Sequence, residues 1–323
     1  MKAVRVIPHA EGGRVELRDV PVPAVGPGQV LVRVRASGLN RGEITQAREL
    51  RSGPEITTGV EFAGEVAAVG ADVAGWREGD RVMGHGRQCQ AEFVLVDPLS
   101  LMRMPADLGW VEAASFPNVF VTAHDAVITN GQLRRGESIL VNAASGGVAW
   151  AALQIASLWG AKPVIASSRS ADKLRRLAEF GVDVGIDASR DDQVEKVMQA
   201  TDKRGVDVIL DMVGGPAFEA NVESLAVGGR LVQVARLGGA EARINLERFW
   251  LKRLHLVGVT MRTRSEQERL ACVQACARDL LPFLQEGRIR WAIDRTFALA
   301  DIHAAHAYML RAEHFGKIVL TLD

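Results

Sequence analysis

Two patterns of hydrophobic and polar positions follow one another along the chain, with the change between about residues 115 and 137. In the first part, apolar and polar residues alternate in short runs separated by glycine, proline and aspartate, a pattern typical of half-buried strands. The clearest runs are QVLVRVRASG, EFAGEVAAVG, DRVMGHG and AEFVLVD. The first 115 or so residues are therefore predicted to form an all-β unit.

From about Glu137 onward, continuous apolar runs alternate with helical patterns. The runs predict six strands, SILVNAA, PVIASS, DVGIDA, VDVILDM, GRLVQVA and HLVGVT. The intervening patterns predict the helices ALQIASLWG, ADKLRRLAEFG, DDQVEKVMQA and PAFEANVESLAVGG. Because strands of this kind belong to parallel sheets covered on both faces, the alternation predicts a doubly wound α/β fold.

The chain ends with a long helical pattern and two short strand patterns. The helix is SEQERLACVQACARDLLPFLQEG, and the strand patterns are RIRWAIDRTFAL and GKIVLTLD. We expect the last segment to rejoin the first domain, so that the doubly wound domain is an insertion. The predicted bounds are 1–121 with 286–323 for the β domain and 122–285 for the inserted domain.

Composition limits the partners of this protein. With 323 residues, of which 48% are apolar and 24% charged, the chain can bury a substantial core. Lys and Arg number 39, as do Asp and Glu, so no overall charge favours nucleic acid or an anionic membrane. The first ten residues read as a strand rather than a signal peptide, and no apolar run has the length of a membrane span. We expect a soluble, cytoplasmic protein.

Cysteine and histidine spacing does not predict a metal site. Cys272 and Cys276 would share one face of a helix, where packing is favoured over metal binding because no further ligand lies at suitable spacing. Cys89 is distant from both, so a disulfide framework is not expected. His303 and His306 are predicted to lie on a partly exposed helical face.

The stretch LVNAASGGVAWAALQIA begins as a strand, breaks at paired glycines and resumes as a helix. It fits the dinucleotide-binding fingerprint, with Ala144 and Ala149 in the outer glycine positions. A Cβ at Gly146 would collide with an approaching diphosphate, and amides at the start of the helix favour an anion. A plain turn is the alternative. The residues predicted to bind the diphosphate are Ser145, Gly146, Gly147 and Val148.

The end of the second predicted strand indicates which coenzyme binds. NAD sites usually place an acidic residue here, about 20 residues after the glycines. This chain has Ser167, Ser168 and Arg169 instead, with Lys173 one helical turn later. Two cations and two hydroxyl groups can converge on a 2′-phosphate, which predicts NADPH as the coenzyme. The alternative is a solvated basic helix start.

Eight stretches resemble the medium-chain dehydrogenase/reductase superfamily and, within it, the zinc-free quinone oxidoreductases. They are ASGLNRGEITQ, TTGVEFAGEVAAVG, WREGDRV, AASFPNVFVTAHDAV, VNAASGGVAWAALQIA, GVDVILDMVGGPAFEANVESLAVGGRLVQV, MRTRSEQER and HFGKIVL. The stretches LNRGEITQ and MRTRSEQER are most similar to the tumour-suppressor-inducible quinone oxidoreductases. The resemblance implies a GroES-like β domain with a Rossmann domain, and hydride transfer from NADPH to a quinone or an α,β-unsaturated carbonyl compound. It also implies a homodimer, with HLVGVT as the candidate edge strand.

Zinc-dependent alcohol dehydrogenases of the superfamily have a cysteine within the stretch that reads SGLN here, and Gly-His-Glu where this chain has Gly59, Val60 and Glu61. They also carry a lobe of four closely spaced cysteines, which has no counterpart in this sequence. Without a Lewis acid an alcoholate loses several kcal/mol of stabilisation, so zinc-dependent alcohol oxidation is not expected. We interpret Glu61 as a polar residue at the start of a strand.

The resemblance also suggests catalytic residues. Asn40 matches a family asparagine beside the nicotinamide and the substrate, where its amide could donate to a developing enolate or quinol oxygen. An asparagine in a turn is the alternative. Arg41 and Glu43 either line the cleft or form a surface ion pair. Some relatives have a tyrosine where this chain has Thr45, so water is the expected proton source.

Two further segments are candidates for coenzyme contact by resemblance. Thr122 matches a threonine near the coenzyme phosphates, with a helix-capping hydroxyl as the alternative. The loop VARLGG, which contains Leu237 and Gly238, resembles the loop that covers the nicotinamide. Arg236 in this loop either favours an anionic substrate or points to solvent.

Two other functions remain open at this point. One is a noncatalytic protein that binds NADPH and has lost turnover. The other is a zinc-free reductase of a different enone class, such as acyl thioesters.

Overall fold

The structure of the protein, a computed structural model, describes residues 1–322. The strands in chain order are β1 (Lys2–Ile7), β2 (Arg14–Asp19), β3 (Val30–Leu39), β4 (Ile56–Thr57), β5 (Glu61–Val69), β6 (Arg81–His85), β7 (Phe93–Val96), β8 (Leu101–Arg103), β9 (Ile139–Val141), β10 (Val164–Ser168), β11 (Val184–Asp187), β12 (Val206–Asp211), β13 (Leu225–Gln233), β14 (His255–Gly258), β15 (Ile293–Ala298) and β16 (Lys317–Thr321). The α-helices are α1 (Arg41–Glu49), α2 (Trp110–Ala114), α3 (Pro117–His124), α4 (Gly147–Leu158), α5 (Ala171–Leu177), α6 (Gln193–Ala200), α7 (Phe218–Ser224), α8 (Leu246–Leu251), α9 (Glu266–Gln285) and α10 (Ile302–Leu310).

The described residues form two compact units. The β unit contains the residues up to Val119 and those from Glu266 onward, and the parallel-sheet unit is Phe120–Ser265. Our predicted boundaries after residues 121 and 285 differ from these, mainly because α9 belongs to the β unit. Cys276 is fully buried on α9, and the Gln274 side chain donates to Leu99 O at 2.5 Å.

The β unit is built on two sheets. The larger one has the order β15-β16-β3-β5-β6-β8, with β7 pairing to β3, and the smaller one has the order β2-β1-β4. Alternating valines of β3 are buried, as the period-two pattern predicted. β16 pairs antiparallel with β3, which confirms that the end of the chain rejoins this unit.

The parallel-sheet unit contains all six predicted strands in the order β11-β10-β9-β12-β13-β14. Every neighbouring pair is parallel, which confirms the doubly wound fold. Leu140, Ile165, Ile209 and Leu231, one from each central strand, lie in the core.

One predicted helix is shorter than expected. The pattern PAFEANVESLAVGG predicted a single helix, but α7 ends at Ser224 and the residues LAVGG open strand β13. A positive φ of 79° at Gly228, which would be unfavourable in a helix, is accommodated within this strand. The helical prediction for these five residues was therefore wrong.

Cysteines and histidines lie close to where the sequence placed them. Cys272 and Cys276 are both buried on α9, and none of the three cysteines forms a disulfide. On α10, His303 is exposed and His306 is buried, so that helical face is divided between solvent and core. No helix among residues 1–322 is long and apolar enough to span a membrane.

Candidate active site

A buried ion pair lies at the centre of the β unit. Lys317 Nζ donates to Glu61 Oε1 at 2.6 Å, and the two side chains are only 3% and 0% exposed. Lys317 Nζ donates its other two hydrogens to Leu39 O at 3.1 Å and to Asn40 Oδ1 at 2.9 Å. The second carboxylate oxygen of Glu61 accepts the backbone N–H of Asn118 at 2.7 Å. The pair is therefore both buried and fully hydrogen-bonded, the condition under which buried charges are tolerated.

Strand pairing explains how these distant residues meet. β3 lies between β16 and β5, so Lys317 at the start of β16 and Glu61 at the start of β5 both flank the end of β3. Gly38 leaves space for the Glu61 carboxylate, because a Cβ at this position would lie only 2.2 Å from Glu61 Oε1.

Asn40 follows β3 and precedes α1, and its side chain is saturated by charged neighbours. Nδ2 donates to Glu61 Oε1 at 2.9 Å and to Glu43 Oε1 at 3.2 Å. Oδ1 accepts from Lys317 and from Asn118 Nδ2, the latter at 2.9 Å. An ammonium group can only donate and an ionised carboxylate can only accept. These contacts therefore identify Nδ2 of the Asn40 amide as the donor and Oδ1 as the acceptor. Asn40 thus connects the ion pair to α1, a role that a simple turn asparagine would not have.

Glu43 is a second buried carboxyl group, 2% exposed. It accepts hydrogen bonds from Asn40 N at 3.1 Å, Val60 N at 3.2 Å and Gln90 Nε2 at 2.8 Å. Burial raises the pKa of Glu43 to about 7, and the bonds from Asn40 oppose this rise only in part. Its charge therefore changes near neutral pH.

His85 extends this cluster toward the surface. Its Nε2 lies 3.2 Å from Asn118 Oδ1, and because Asn118 Nδ2 already donates to Asn40, this oxygen is the acceptor and Nε2 carries the hydrogen. Burial lowers the pKa of His85, so the ring is neutral at pH 7. We call Asn40, Glu43, Glu61, His85, Asn118 and Lys317 the buried polar cluster.

Two of our interpretations change here. Glu61 is the first residue of β5, as we interpreted it, but it is also fully buried against Lys317. Arg41 and Glu43 do not form a surface ion pair, since Arg41 donates to Met309 O at 3.3 Å while Glu43 is buried among amide donors. Sequence reasoning also missed Lys317, Asn118 and His85. The one available signal was a lone cation opening the apolar strand KIVLTL.

In the parallel-sheet unit, most of the predicted coenzyme residues lie at or just after the carboxyl ends of the strands. β9 lies between β10 and β12 at the point where the strand order reverses, the usual ligand crevice of a doubly wound sheet. The loop after β9 leads into α4, with Gly146 as its N-cap residue. An added Cβ at Gly146 would meet no protein atom closer than Ala143 O at 3.7 Å. The protein itself therefore does not require glycine at this position.

The amides of this loop have different partners. Gly146 N donates to Ala143 O at 3.2 Å, so this amide is used within the turn. The following amides, of Gly147 and Val148, belong to the first turn of α4, where N–H groups lack intrahelical acceptors. Ser145, Gly146, Gly147 and Val148 are all partly exposed, whereas Ala149 is buried. This helix start can accommodate an anionic diphosphate.

The end of β10 lies next to the glycine loop, because Ala144 N donates to Ser167 O at 2.9 Å. Ser168 Oγ accepts from Ser170 N at 3.3 Å, and Ser170 caps α5. Arg169 is exposed at this point, and Lys173 lies partly buried in the first turn of α5.

The remaining predicted coenzyme residues lie on α3 and on the loop after β13. Thr122 is buried in the middle of α3, so the alternative of a helix-capping hydroxyl was wrong. Leu237 N donates to Met212 O at 3.0 Å and Gly238 N to Val213 O at 2.7 Å, which anchors this loop to the end of β12. The Leu237 side chain is 60% exposed, and Arg236 is exposed beside it.

Asp211 at the end of β12 is a residue that sequence reasoning missed. It is fully buried and accepts the backbone N–H groups of Val213 at 2.8 Å and Gly214 at 3.0 Å. Asn142, which precedes the glycine loop, donates to the same carboxylate at 3.4 Å. Asp211 therefore positions the two loops that follow β9 and β12.

Family models match most of the chain, and curated relatives match nearly all of it. The Zinc-binding dehydrogenase model matches residues 147–276, and the Alcohol dehydrogenase GroES-like domain model matches residues 26–129. Quinone oxidoreductase-like protein 2 of Bos taurus is 31% identical over 95% of this chain and 88% of its own length. The spectinabilin polyketide synthase system protein NorB of Streptomyces orinoci is 31% identical over 98% of this chain, which spans only 14% of that protein.

Solved structures agree with these matches. A quinone oxidoreductase of Pseudomonas syringae has a TM-score of 0.88 at 26% identity, with full coverage of both chains. A mycobacterial protein solved as a complex with NADPH has a TM-score of 0.87 at 26% identity, again over both whole chains. A structure described as an NAD-dependent alcohol dehydrogenase has a TM-score of 0.88 at 29% identity, also over both whole chains.

The zinc ion that one model name implies does not fit the residues of this chain. The side chain of Val60 offers no ligand atom, and the adjacent Glu61 is already paired with Lys317. Within residues 1–322, no group of three His, Cys, Asp or Glu side chains could hold a metal. The chain belongs to the medium-chain dehydrogenase/reductase superfamily, and it is an oxidoreductase related to the quinone oxidoreductases.

Proposed function

We propose that the protein is an NADPH-dependent, zinc-independent reductase of quinones or α,β-unsaturated carbonyl compounds. One observation carries the proposal. Buried Lys317 pairs with Glu61, in the stretch where zinc-dependent members of the superfamily have Gly-His-Glu, and the chain has a glycine-opened helix at the switch point of its parallel sheet. The substrate must then supply its own electrophile, as quinones and enones do.

On the coenzyme side, bound NADPH would supply the hydride from its nicotinamide ring. We propose that the start of α4 holds the diphosphate and that the end of β10 holds the 2′-phosphate. Thr122 and the loop of Leu237 and Gly238 complete the site. Asp211 keeps two of the surrounding loops in place without contacting the coenzyme. The residues that would bind the coenzyme are Thr122, Ser145, Gly146, Gly147, Val148, Ser167, Ser168, Arg169, Lys173, Leu237 and Gly238.

On the substrate side, we propose that Asn40 contacts the acceptor and that Arg41 and Glu43 support it. Both amide hydrogens of Asn40 are bonded to carboxylates, so donation to an enolate requires that one of these bonds open. The bond to Glu43 is the longer of the two, and it weakens when Glu43 is protonated. Water is the proposed source of the proton that completes the reduction.

A panel of acceptors tests this function. The purified protein, treated with a chelator, should oxidise NADPH in the presence of simple quinones or conjugated enones, at a rate that the chelator leaves unchanged. Saturated ketones and aldehydes serve as the control and should give no turnover, since they lack a conjugated electrophile. Failure with every quinone and enone, or loss of activity on chelation, contradicts the proposal.

We expect the double substitution Arg169→Ala and Lys173→Ala to weaken NADPH binding by about 1.5–3 kcal/mol, or roughly 10- to 150-fold. NADH binding should change little, because NADH has no 2′-phosphate. Titration of both coenzymes by fluorescence measures the effect, with Arg175→Ala and Arg176→Ala as a charge-matched control on the same helix. Equal losses for the two coenzymes contradict the assignment.

We also propose a homodimer that pairs through β14. This strand is the edge of the parallel sheet, and Leu246, Trp250 and Leu256 are 50–66% exposed on it and on the nearby α8. Exposed apolar side chains beside an unpaired edge favour association. Leu256→Lys should shift sedimentation toward the monomer, whereas Leu99→Lys, which changes a similarly exposed leucine in the β unit, should not. Unchanged sedimentation of Leu256→Lys contradicts this interface.

Reduction of an acyl thioester enone is a second candidate. It is favoured by the 31% identity to a segment of a polyketide synthase system protein. Thioester enones present the same conjugated electrophile, so the coenzyme and substrate residues would be the same. The acceptor panel distinguishes the two candidates if it includes an enoyl thioester of pantetheine.

A further inference from the structure

The β unit contains a cavity of about 390 Å³ beside the buried polar cluster. That volume falls within the usual range of small-molecule sites. His85 forms part of its wall and also contacts Asn118, which in turn contacts Asn40. One side chain thus belongs both to the cavity and to the proposed reaction site.

Two arginines from different elements line this cavity. Arg87 lies in the loop after β6, and Arg269 lies in the first turns of α9. Burial lowers the pKa of Arg269, and the positive charge of Arg87 lowers it further. The two positive charges therefore repel one another, and a bound anion would relieve that repulsion.

Two acidic groups, Asp97 and Glu266, also line the cavity. Asp97 caps the helical turn at residues 98–100, where its Oδ1 accepts Leu99 N at 2.7 Å. Glu266 interacts favourably with Arg269, but it is exposed, as is Arg87. His85 is neutral at pH 7 and can accept a hydrogen bond through Nδ1.

We propose that this cavity binds an anionic group of the substrate, a carboxylate or a phosphate, through Arg87 and Arg269. Guanidinium groups match the planar carboxylate and the phosphate oxygens with paired hydrogen bonds. This inference rests on the proposed reductase function and narrows its substrates to quinones or enones that carry an acid group. The acid group would lie in the cavity and the conjugated double bond toward His85 and Asn40.

Kinetics with matched acceptors tests the substrate class. Three enones of similar reactivity are compared: one neutral, one bearing a carboxylate, and an enoyl thioester of phosphopantetheine. Arg87→Gln with Arg269→Gln should lower kcat/KM for at least one anionic acceptor roughly 10- to 100-fold, the loss of a charged hydrogen bond or two. The kcat/KM for the neutral acceptor should change less than about twofold. The anionic acceptor whose kcat/KM falls more identifies whether the cavity binds a carboxylate or a phosphate.

Arg288→Gln with Arg311→Gln is the control, because it removes the same charge from residues that do not line the cavity. This control variant should leave kcat/KM for all three acceptors unchanged. Equal losses for neutral and anionic acceptors, or no loss for either anionic acceptor, would overturn the proposal.

A binding measurement separates this proposal from the reductase function itself. Calorimetric titration with pantetheine phosphate and with glutarate needs neither coenzyme nor turnover. Tighter binding of either compound to the wild type than to the Arg87→Gln, Arg269→Gln variant supports the cavity even if no enone is reduced. Equal binding of both compounds to the two proteins overturns it.

Discussion

Replacing Lys317 with methionine will lower the free energy of unfolding by about 3–5 kcal/mol, the cost of leaving a buried charge without its partner. Methionine keeps most of the side-chain volume, so the loss comes from the charge and not from a cavity. Glu61 would keep the amide donors Asn40 and Asn118 but lose its cation at 2.6 Å. Urea denaturation followed by circular dichroism measures the change.

Two further variants make this prediction specific. Adding Glu61→Gln to Lys317→Met should restore more than half of the lost stability, because the carboxyl charge is then gone while an amide oxygen remains as acceptor. Lys2→Met removes the exposed pair with Asp19, in which the side chains are 50% and 73% exposed, and should cost less than about 1 kcal/mol. A loss for Lys317→Met no greater than that for Lys2→Met would contradict the role of the buried pair.

Gly146→Asp will weaken coenzyme binding by about 3 kcal/mol or more, roughly 150-fold, while the protein stays folded. The new carboxylate would lie at the start of α4, where the diphosphate is proposed to bind, and it would repel that anion. The fold tolerates the change because φ at Gly146 is −78° and an added Cβ meets nothing closer than 3.7 Å. Coenzyme titration and thermal unfolding measure the two effects separately.

Gly185→Asp is the matched control for this prediction. Gly185 is exposed on β11 in the same unit, and a Cβ there would make only ordinary contact with Leu174 at 3.6 Å. We expect this variant to bind the coenzyme like the wild type. If Gly146→Asp binds normally, or if Gly185→Asp loses as much affinity, the start of α4 is not the diphosphate site.

The sequence predicted the fold well because the fold depends on local patterns. The apolar runs of β9 to β14 and the glycine break before α4 are readable within a few residues of chain. The end of the helix over PAFEANVESLAVGG could not be read from local sequence, because the residues LAVGG suit a strand only when β12 lies beside them. Tertiary pairing decided that segment against its local pattern.

The substrate side of the site was much less predictable for the same reason. Glu61 and Lys317 are 256 positions apart, and only the placement of β3 between their strands brings them together. A single glutamate in a strand, or a single lysine opening one, carries no sign of its partner. The burial of Glu43 was hidden in the same way, because its hydrogen-bond donors Val60 and Gln90 come from other segments. Resemblance pointed to Asn40 but could not show that its amide is already saturated.

The most direct test of the proposed function is a single-turnover reaction of the chelator-treated protein with NADPH deuterated on nicotinamide C4. The acceptor is an enone that the panel has identified, and the product is analysed by NMR. We predict that one stereoisomer of the labelled coenzyme transfers its deuterium to the carbon β to the carbonyl group of the product. A reduced product without deuterium from either isomer, or deuterium transfer only after zinc is added back, would contradict metal-independent hydride transfer.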